Sequence, residues 1–114
     1  METHLMNLYD NPFQKIKEGK KTVEMRLFDE KRKKIKIGDR IIFNNLETNE
    51  KIKVEITGIK TFMSFEELYN SYDKIAMGYS QNEKANPKDM EIYYSKEEQE
   101  KFGVCGIEIQ LEEE

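Results

Sequence analysis

A lysine, a glutamate and an arginine stand at positions 21, 24 and 26, inside the stretch Gly19-Lys20-Lys21-Thr22-Val23-Glu24-Met25-Arg26. Two cationic donors and one carboxylate can hold a phosphate or a base edge, and can polarise a water. As a binding set, Lys21 and Arg26 meet a phosphate or a base acceptor, while Glu24 accepts from an exocyclic amine or orients Arg26. As a hydrolytic set, Lys21 and Glu24 are the catalytic candidates: lysine as oxyanion donor or base, a carboxylate as general acid or base on water. A plainer reading stands beside these. Glu24 and Arg26, two apart on a solvent-facing strand, would form a surface ion pair worth about 0–1 kcal/mol. The residues alone leave the choice open.

Their spacing implies a definite frame. Residues 3–9 predict a first strand, and Asn11-Pro12 predicts an N-cap followed by proline at the first helical position, with Phe13 and Ile16 on one face. Gly19 predicts the left-handed residue that stops this helix. Residues 22–28 alternate, with Val23, Met25 and Leu27 on one side and Thr22, Glu24, Arg26 and Phe28 on the other, so the strand should be half buried with a polar face. A turn at Ile35–Asp39 leads to a strand over 40–44, and Glu47–Glu50 is a polar hairpin turn. A long strand over 51–62 has a bulge or bend at Gly58.

Ser64 heads a capping box, with Phe65, Leu68, Tyr69 and Tyr72 at helical spacing behind it. Residues 73–86 lack periodicity and read as a loop. Asn86-Pro87 starts a further helical stretch with Met90, Tyr93 and Tyr94 on one face; Ser95 to Glu98 repeats the capping box, and Gly103 ends the helix. A last strand, 104–111, puts Cys105, Ile107, Ile109 and Leu111 inward. The order β-α-β-β-β-α-α-β lacks the regular alternation of a doubly wound sheet. The expectation is a mixed α/β domain: a small barrel of about five mostly antiparallel strands with two to three short helices.

Composition narrows the function. A chain of 114 residues, 37% apolar and 37% charged, makes a single domain over 1–114 with one modest core. It has no apolar run of membrane-spanning length and no export signal. One cysteine, Cys105, excludes an internal disulfide framework, and one histidine, His4, excludes a multi-histidine metal site, so neither metal nor cofactor is expected. The expectation is a cytoplasmic protein. Its net charge of -4 is uneven: residues 15–40 carry eleven Lys or Arg against five acids. Such a basic stretch suits a phosphate-bearing partner, whereas the acidic remainder argues against duplex DNA. Arg40 and the Lys31–Lys34 loop would supply longer-range attraction. Among the aromatics, Tyr79 and Tyr94 are the favoured stacking surfaces for an unpaired base, because their neighbourhoods are polar.

Gly-x-Lys-x-x-Glu-x-Arg, present as Gly19, Lys21, Glu24 and Arg26, resembles the signature of the ASCH domain family, a branch of the PUA-like fold. Asn11-Pro12-Phe13, Ile37-Gly38-Asp39-Arg40, Ser64-Phe65 and the ending Phe102-Gly103-Val104-Cys105-Gly106-Ile107 resemble it too, so the likeness spans residues 3–111. It implies a β-barrel with a cleft beside the motif strand, and a role in binding RNA or a nucleotide-like small molecule. The ligand-binding set is then Lys21, Thr22, Glu24, Arg26, Arg40 and Tyr94. One branch of the family implies an alternative, a small amidohydrolase acting on an acylated nucleoside such as N4-acetylcytidine. Lys21 matches the catalytic lysine of that branch. Glu24 stands where it carries threonine, and Glu66, Glu67, Asp73 and Glu83 are the candidates for its distant acid.

Overall fold

Alternation of apolar residues builds the sheet. The computed structural model describes residues 1–112 and has five strands: β1 (Thr3–Leu8), β2 (Val23–Leu27), β3 (Arg40–Asn45), β4 (Lys51–Phe62) and β5 (Val104–Leu111). They form one sheet in the order β1-β3-β4-β5-β2. Only β1 and β3 are parallel, as expected where a helix and two further segments intervene; the remaining pairs are antiparallel. Met6, Leu8, Ile41, Phe43, Val54, Ile56, Cys105, Ile107 and Ile109 meet on the concave face. Helix α1 (Asp10–Lys17) closes one end of that core with Phe13 and Ile16, three apart as the sequence required.

The bend falls in β4. Residues 51–55 pair with β3, residues 54–62 pair with β5, and the register slips between Ile56 and Gly58. The slip matches the bend expected at Gly58 and lets one long strand belong to both walls of a half-barrel. The two edge strands, β1 and β2, approach each other without pairing. Side chains bridge the gap: Arg26 Nη2 donates to the Asn7 carbonyl (2.9 Å) and Lys31 Nζ to the Leu5 carbonyl (3.0 Å). Lys31 therefore caps an open sheet edge.

A second core lies on the outer side of β2. Val23, Met25, Leu27 and Val104 are covered by Phe65 and Leu68 of α3 (Phe65–Ser71), Met77 of α4 (Lys74–Met77) and Met90 of a 3₁₀ helix over Pro87–Ile92. Helix α5 (Lys96–Phe102) follows a complete capping box of Ser95 and Glu98. Strand β2 is thus buried on both faces. The half-buried strand with an exposed polar face is corrected: the face carrying Glu24 looks into the half-barrel.

Three local expectations also change. Helix α1 starts at Asp10 rather than Pro12, and its N-terminus is capped from a distance, the Asp10 amide donating to Glu47 of the β3–β4 turn (2.7 Å). Residues 73–86 contain α4, whose N-cap Asp73 accepts from the Ile75 amide. The basic loop contains the single turn α2 (Glu30–Lys33), capped by Asp29. Both of these helices are four residues long, too short for periodicity to reveal. Among the described residues, no helix is long and apolar enough to cross a membrane.

Tyr72 packs close against Gly106 in β5; a Cβ there would lie 2.7 Å from a ring carbon. Gly106→Ala should displace the ring, strain the Tyr72 hydroxyl to Glu108 hydrogen bond (2.8 Å) and cost about 1–3 kcal/mol, read as a lower urea midpoint.

Candidate functional site

Lys21 reaches the interior through the turn that ends α1. Gly19 adopts φ +81, as its position predicts, and the amides of Lys20 and Lys21 both donate to the Lys15 carbonyl. The chain is then gripped by α4, the Thr22 amide donating to the Ala76 carbonyl (2.9 Å). Gly78, at φ +109, closes α4 and runs beside the lysine stem; a Cβ there would stand 3.0 Å from Lys21 Cδ. Lys15 locks the same corner by donating to the Gly78 carbonyl (2.6 Å) and the Ser80 hydroxyl (3.2 Å).

Lys21 is 7% exposed and Glu24 only 3%. Lys21 Nζ lies 3.0 Å from Glu24 Oε1, which also accepts from the Met25 amide (3.2 Å). Arg26 donates to Glu24 Oε2 from both Nε (3.0 Å) and Nη2 (2.7 Å). Burial works to raise the Glu24 pKa, but the charges of Lys21 and Arg26 overcome it and hold the carboxyl at about 2. The Arg26 guanidinium, which burial would destabilise, is held more firmly protonated by Glu24. These residues form a buried charge triad, and the solvent-facing ion pair is excluded.

The triad floors a cleft of about 380 Å³. One wall is the β1–α1 junction with Asn7, Tyr9 and Pro12, joined by Leu46. The other comes from the short helices and their connections, with Tyr69, Met77, Tyr79, Glu83, Met90 and Tyr93. The mouth is aromatic: Tyr9 (56% exposed) and Tyr93 (51% exposed) face each other with ring centroids 6.4 Å apart. Deeper, Tyr69 and Tyr79 share a hydrogen bond (2.8 Å), and the Tyr79 hydroxyl donates to Asp89 (2.7 Å). Burial, with the Tyr69 and Asp89 contacts, pushes the Tyr79 hydroxyl pKa well above the ordinary phenol value.

Lys21, Glu24 and Arg26 therefore come together as the spacing suggested, while other candidates lie elsewhere. Thr22 is exposed and does not line the cleft; only its backbone takes part. Arg40 is held by Glu112 (2.8 Å) in a separate surface depression with Glu55 and Gln110. Tyr94 stacks on Phe65 at 17° in the outer core, close enough to Arg26 for each to affect the other's ionisation. Tyr79 does line the cleft, as does Glu83; Glu66, Glu67 and Asp73 do not. His4 faces neither cleft nor solvent: its Nε2 is 2.8 Å from Asp39, and this bond with the Glu2 and Lys36 amides holds that carboxyl at about 2. Burial pushes the Cys105 thiol up to about 12, which leaves it a packing residue. Tyr9 and Tyr93 carried the weaker signals. Tyr9 ends an otherwise ordinary strand, and Tyr93 shares the helical spacing of core residues.

A depressed carboxyl pKa stabilises the fold above its unfolded value and loses that contribution as pH falls toward the folded one. Stability should therefore drop between about pH 5 and pH 2, with Glu24 and Asp39 contributing. Glu24→Gln leaves Lys21 and Arg26 buried without their counter-charge. It should cost about 3–5 kcal/mol at pH 7 and reduce the difference in urea stability between pH 7 and pH 3.

The sequence matches the model of the ASCH domain over residues 6–113. No curated protein matches it. Among solved structures, the crystal structure of the hypothetical protein PH0355 is 35% identical, covers 98% of this chain and 100% of its own, and superposes with a TM-score of 0.83. The solution structure of protein PF0455 from Pyrococcus furiosus is 33% identical over 100% of both chains, with a TM-score of 0.72. The ASCH domain from Lactobacillus crispatus shares the fold at 14% identity and a TM-score of 0.63, over 95% of this chain and 79% of its own. A match across nearly the whole chain, together with the half-barrel and its motif strand, makes this protein a member of the ASCH domain family, a PUA-like family associated with RNA binding.

Proposed function

We propose that the cleft binds an unpaired nucleotide of RNA, or a nucleotide-like small molecule, on the Lys21–Glu24–Arg26 floor. One observation carries this reading: a buried group with net positive charge lies beneath a mouth rimmed by two exposed tyrosines. Exposed aromatic faces suit a base, which is flat and apolar on its faces and polar at its edge. A volume of about 380 Å³ lies at the small end of ligand pockets, enough for one nucleoside rather than a helix. Lys17, Lys20, Lys33 and Lys34 are exposed and add attraction that salt weakens. Tyr93→Ala should weaken binding of a short single-stranded RNA by about 5- to 100-fold in fluorescence anisotropy, the range expected for one lost stacking partner. Unchanged affinity in both Tyr93→Ala and Tyr9→Ala would overturn the reading.

A second reading is favoured by a separate observation: Glu83 lines the same cleft as Lys21. The Ser80 amide and hydroxyl, with Lys15, keep the Glu83 carboxyl below its usual pKa, so at neutral pH it is a carboxylate able to accept a proton from water. In an amidohydrolase Lys21 would donate to the acyl oxygen while that water attacks the acyl carbon, and Glu83 would return the proton to N4 as the C–N bond breaks, releasing cytidine and acetate. Incubation with N4-acetylcytidine should then release cytidine, and Glu83→Gln should abolish the release. No release by the unaltered protein would end this reading for that substrate.

A further inference from the structure

We infer that the cleft selects a base by its acceptors, taking guanine in preference to adenine. This rests on the proposed nucleotide-binding role of the same site. Among the described residues Glu24 is the only carboxylate in the buried floor, and both its oxygens are engaged by neighbouring donors or cations. A carboxylate offers about four lone-pair positions. Here Oε1 faces Lys21 Nζ and the Met25 amide, and Oε2 takes Arg26 Nε and Nη2. Little capacity is left for an exocyclic amine, so of the two roles open to Glu24, accepting from a base or orienting its neighbours, the geometry favours the second.

What faces the ligand is a set of donors. Lys21 has three ammonium protons, and Glu24 is its sole side-chain partner among the described residues. Arg26 uses Nε and Nη2 on Glu24 and the Asn7 carbonyl, and its guanidinium also lies against the Tyr94 hydroxyl, so the spare donors of the floor are those of Lys21. The floor is a carboxylate between two cations, which leaves a net positive charge. The other carboxylate lining the cleft, Glu83, is 52% exposed at the rim, where water competes for it. A base that enters must bring acceptors to the floor.

Guanine presents O6 and N7 side by side, the edge that lysine and arginine read most often. Adenine has the same shape and keeps N7, but replaces the oxygen with an amine, which would set a donor against a buried cation. The penalty falls on the protein as well as the ligand, because a floor donor is then left unpaired and shielded from water.

The test uses three labelled five-residue RNAs whose central base is guanine, hypoxanthine or adenine and whose four other positions are abasic, titrated against the unaltered protein by fluorescence anisotropy. Hypoxanthine keeps O6 and N7 and lacks the 2-amino group of guanine. Guanine and hypoxanthine should bind alike, and both about tenfold tighter than adenine. Tyr93→Ala should weaken all three together. Lys21→Met, with its fold checked by circular dichroism, should erase the difference; should that variant not fold, the three RNAs on the unaltered protein still decide. Equal binding of all three, or tighter adenine, with Tyr93→Ala still weakening each, would overturn the inference and leave the binding site standing. Absence of binding, or binding indifferent to Tyr93 and Tyr9, would overturn the nucleotide-binding reading itself.

Discussion

A carboxylate taken out of water must be met by charge or be neutralised, and Glu24 is met on both sides. That constraint organises the molecule. Lys21 must arrive from the end of α1, so the helix has to stop at Gly19 and turn sharply. Arg26 must lie two residues along β2, pointing to the same side. Because Arg26 also reaches the Asn7 carbonyl, the same charge group ties β2 to β1 across the open side of the sheet. Buried ion pairs of this kind are often replaceable by hydrophobic residues of similar volume without loss of stability, but such a trio would leave no polar floor.

The cleft is a product of that incomplete closure. β1 and β2 form no ladder; side chains span the gap between them, and the space there opens toward the helices. Distant cross-links set its walls. Glu47 caps α1 from the β3–β4 turn, and buried Asn45 holds Asp10 (2.9 Å), which fixes Tyr9 and Leu46 at one lip. Lys15 pins the end of α4 through Gly78 and Ser80, which fixes the opposite wall. Neither wall is a regular element; each is a junction held by polar contacts between residues more than thirty positions apart. The cleft's walls stand on junctions, and strand β2 supplies the rigid base beneath them.

Periodicity and punctuation determined a good deal on their own. The alternating apolar residues of the five strands, Phe13 with Ile16, the left-handed Gly19, the bend at Gly58 and the capping serines 64 and 95 are local signals, and each survives in the structure because it reports backbone geometry or one buried face. The Lys21, Glu24 and Arg26 spacing likewise placed three functional groups together before any fold was known. Local sequence does not say which side of a strand is wet. β2 alternates like a half-exposed strand, yet the helical layer covers its apolar face and the half-barrel encloses its charged one. Only the tertiary structure decided that Glu24 is buried between two cations, that Arg40 belongs to Glu112, that Tyr94 belongs largely to the core, and that Tyr9 and Tyr93 meet at the mouth. The reason is physical: burial and pairing are properties of the space between elements, and that space is set by contacts between residues far apart in the chain.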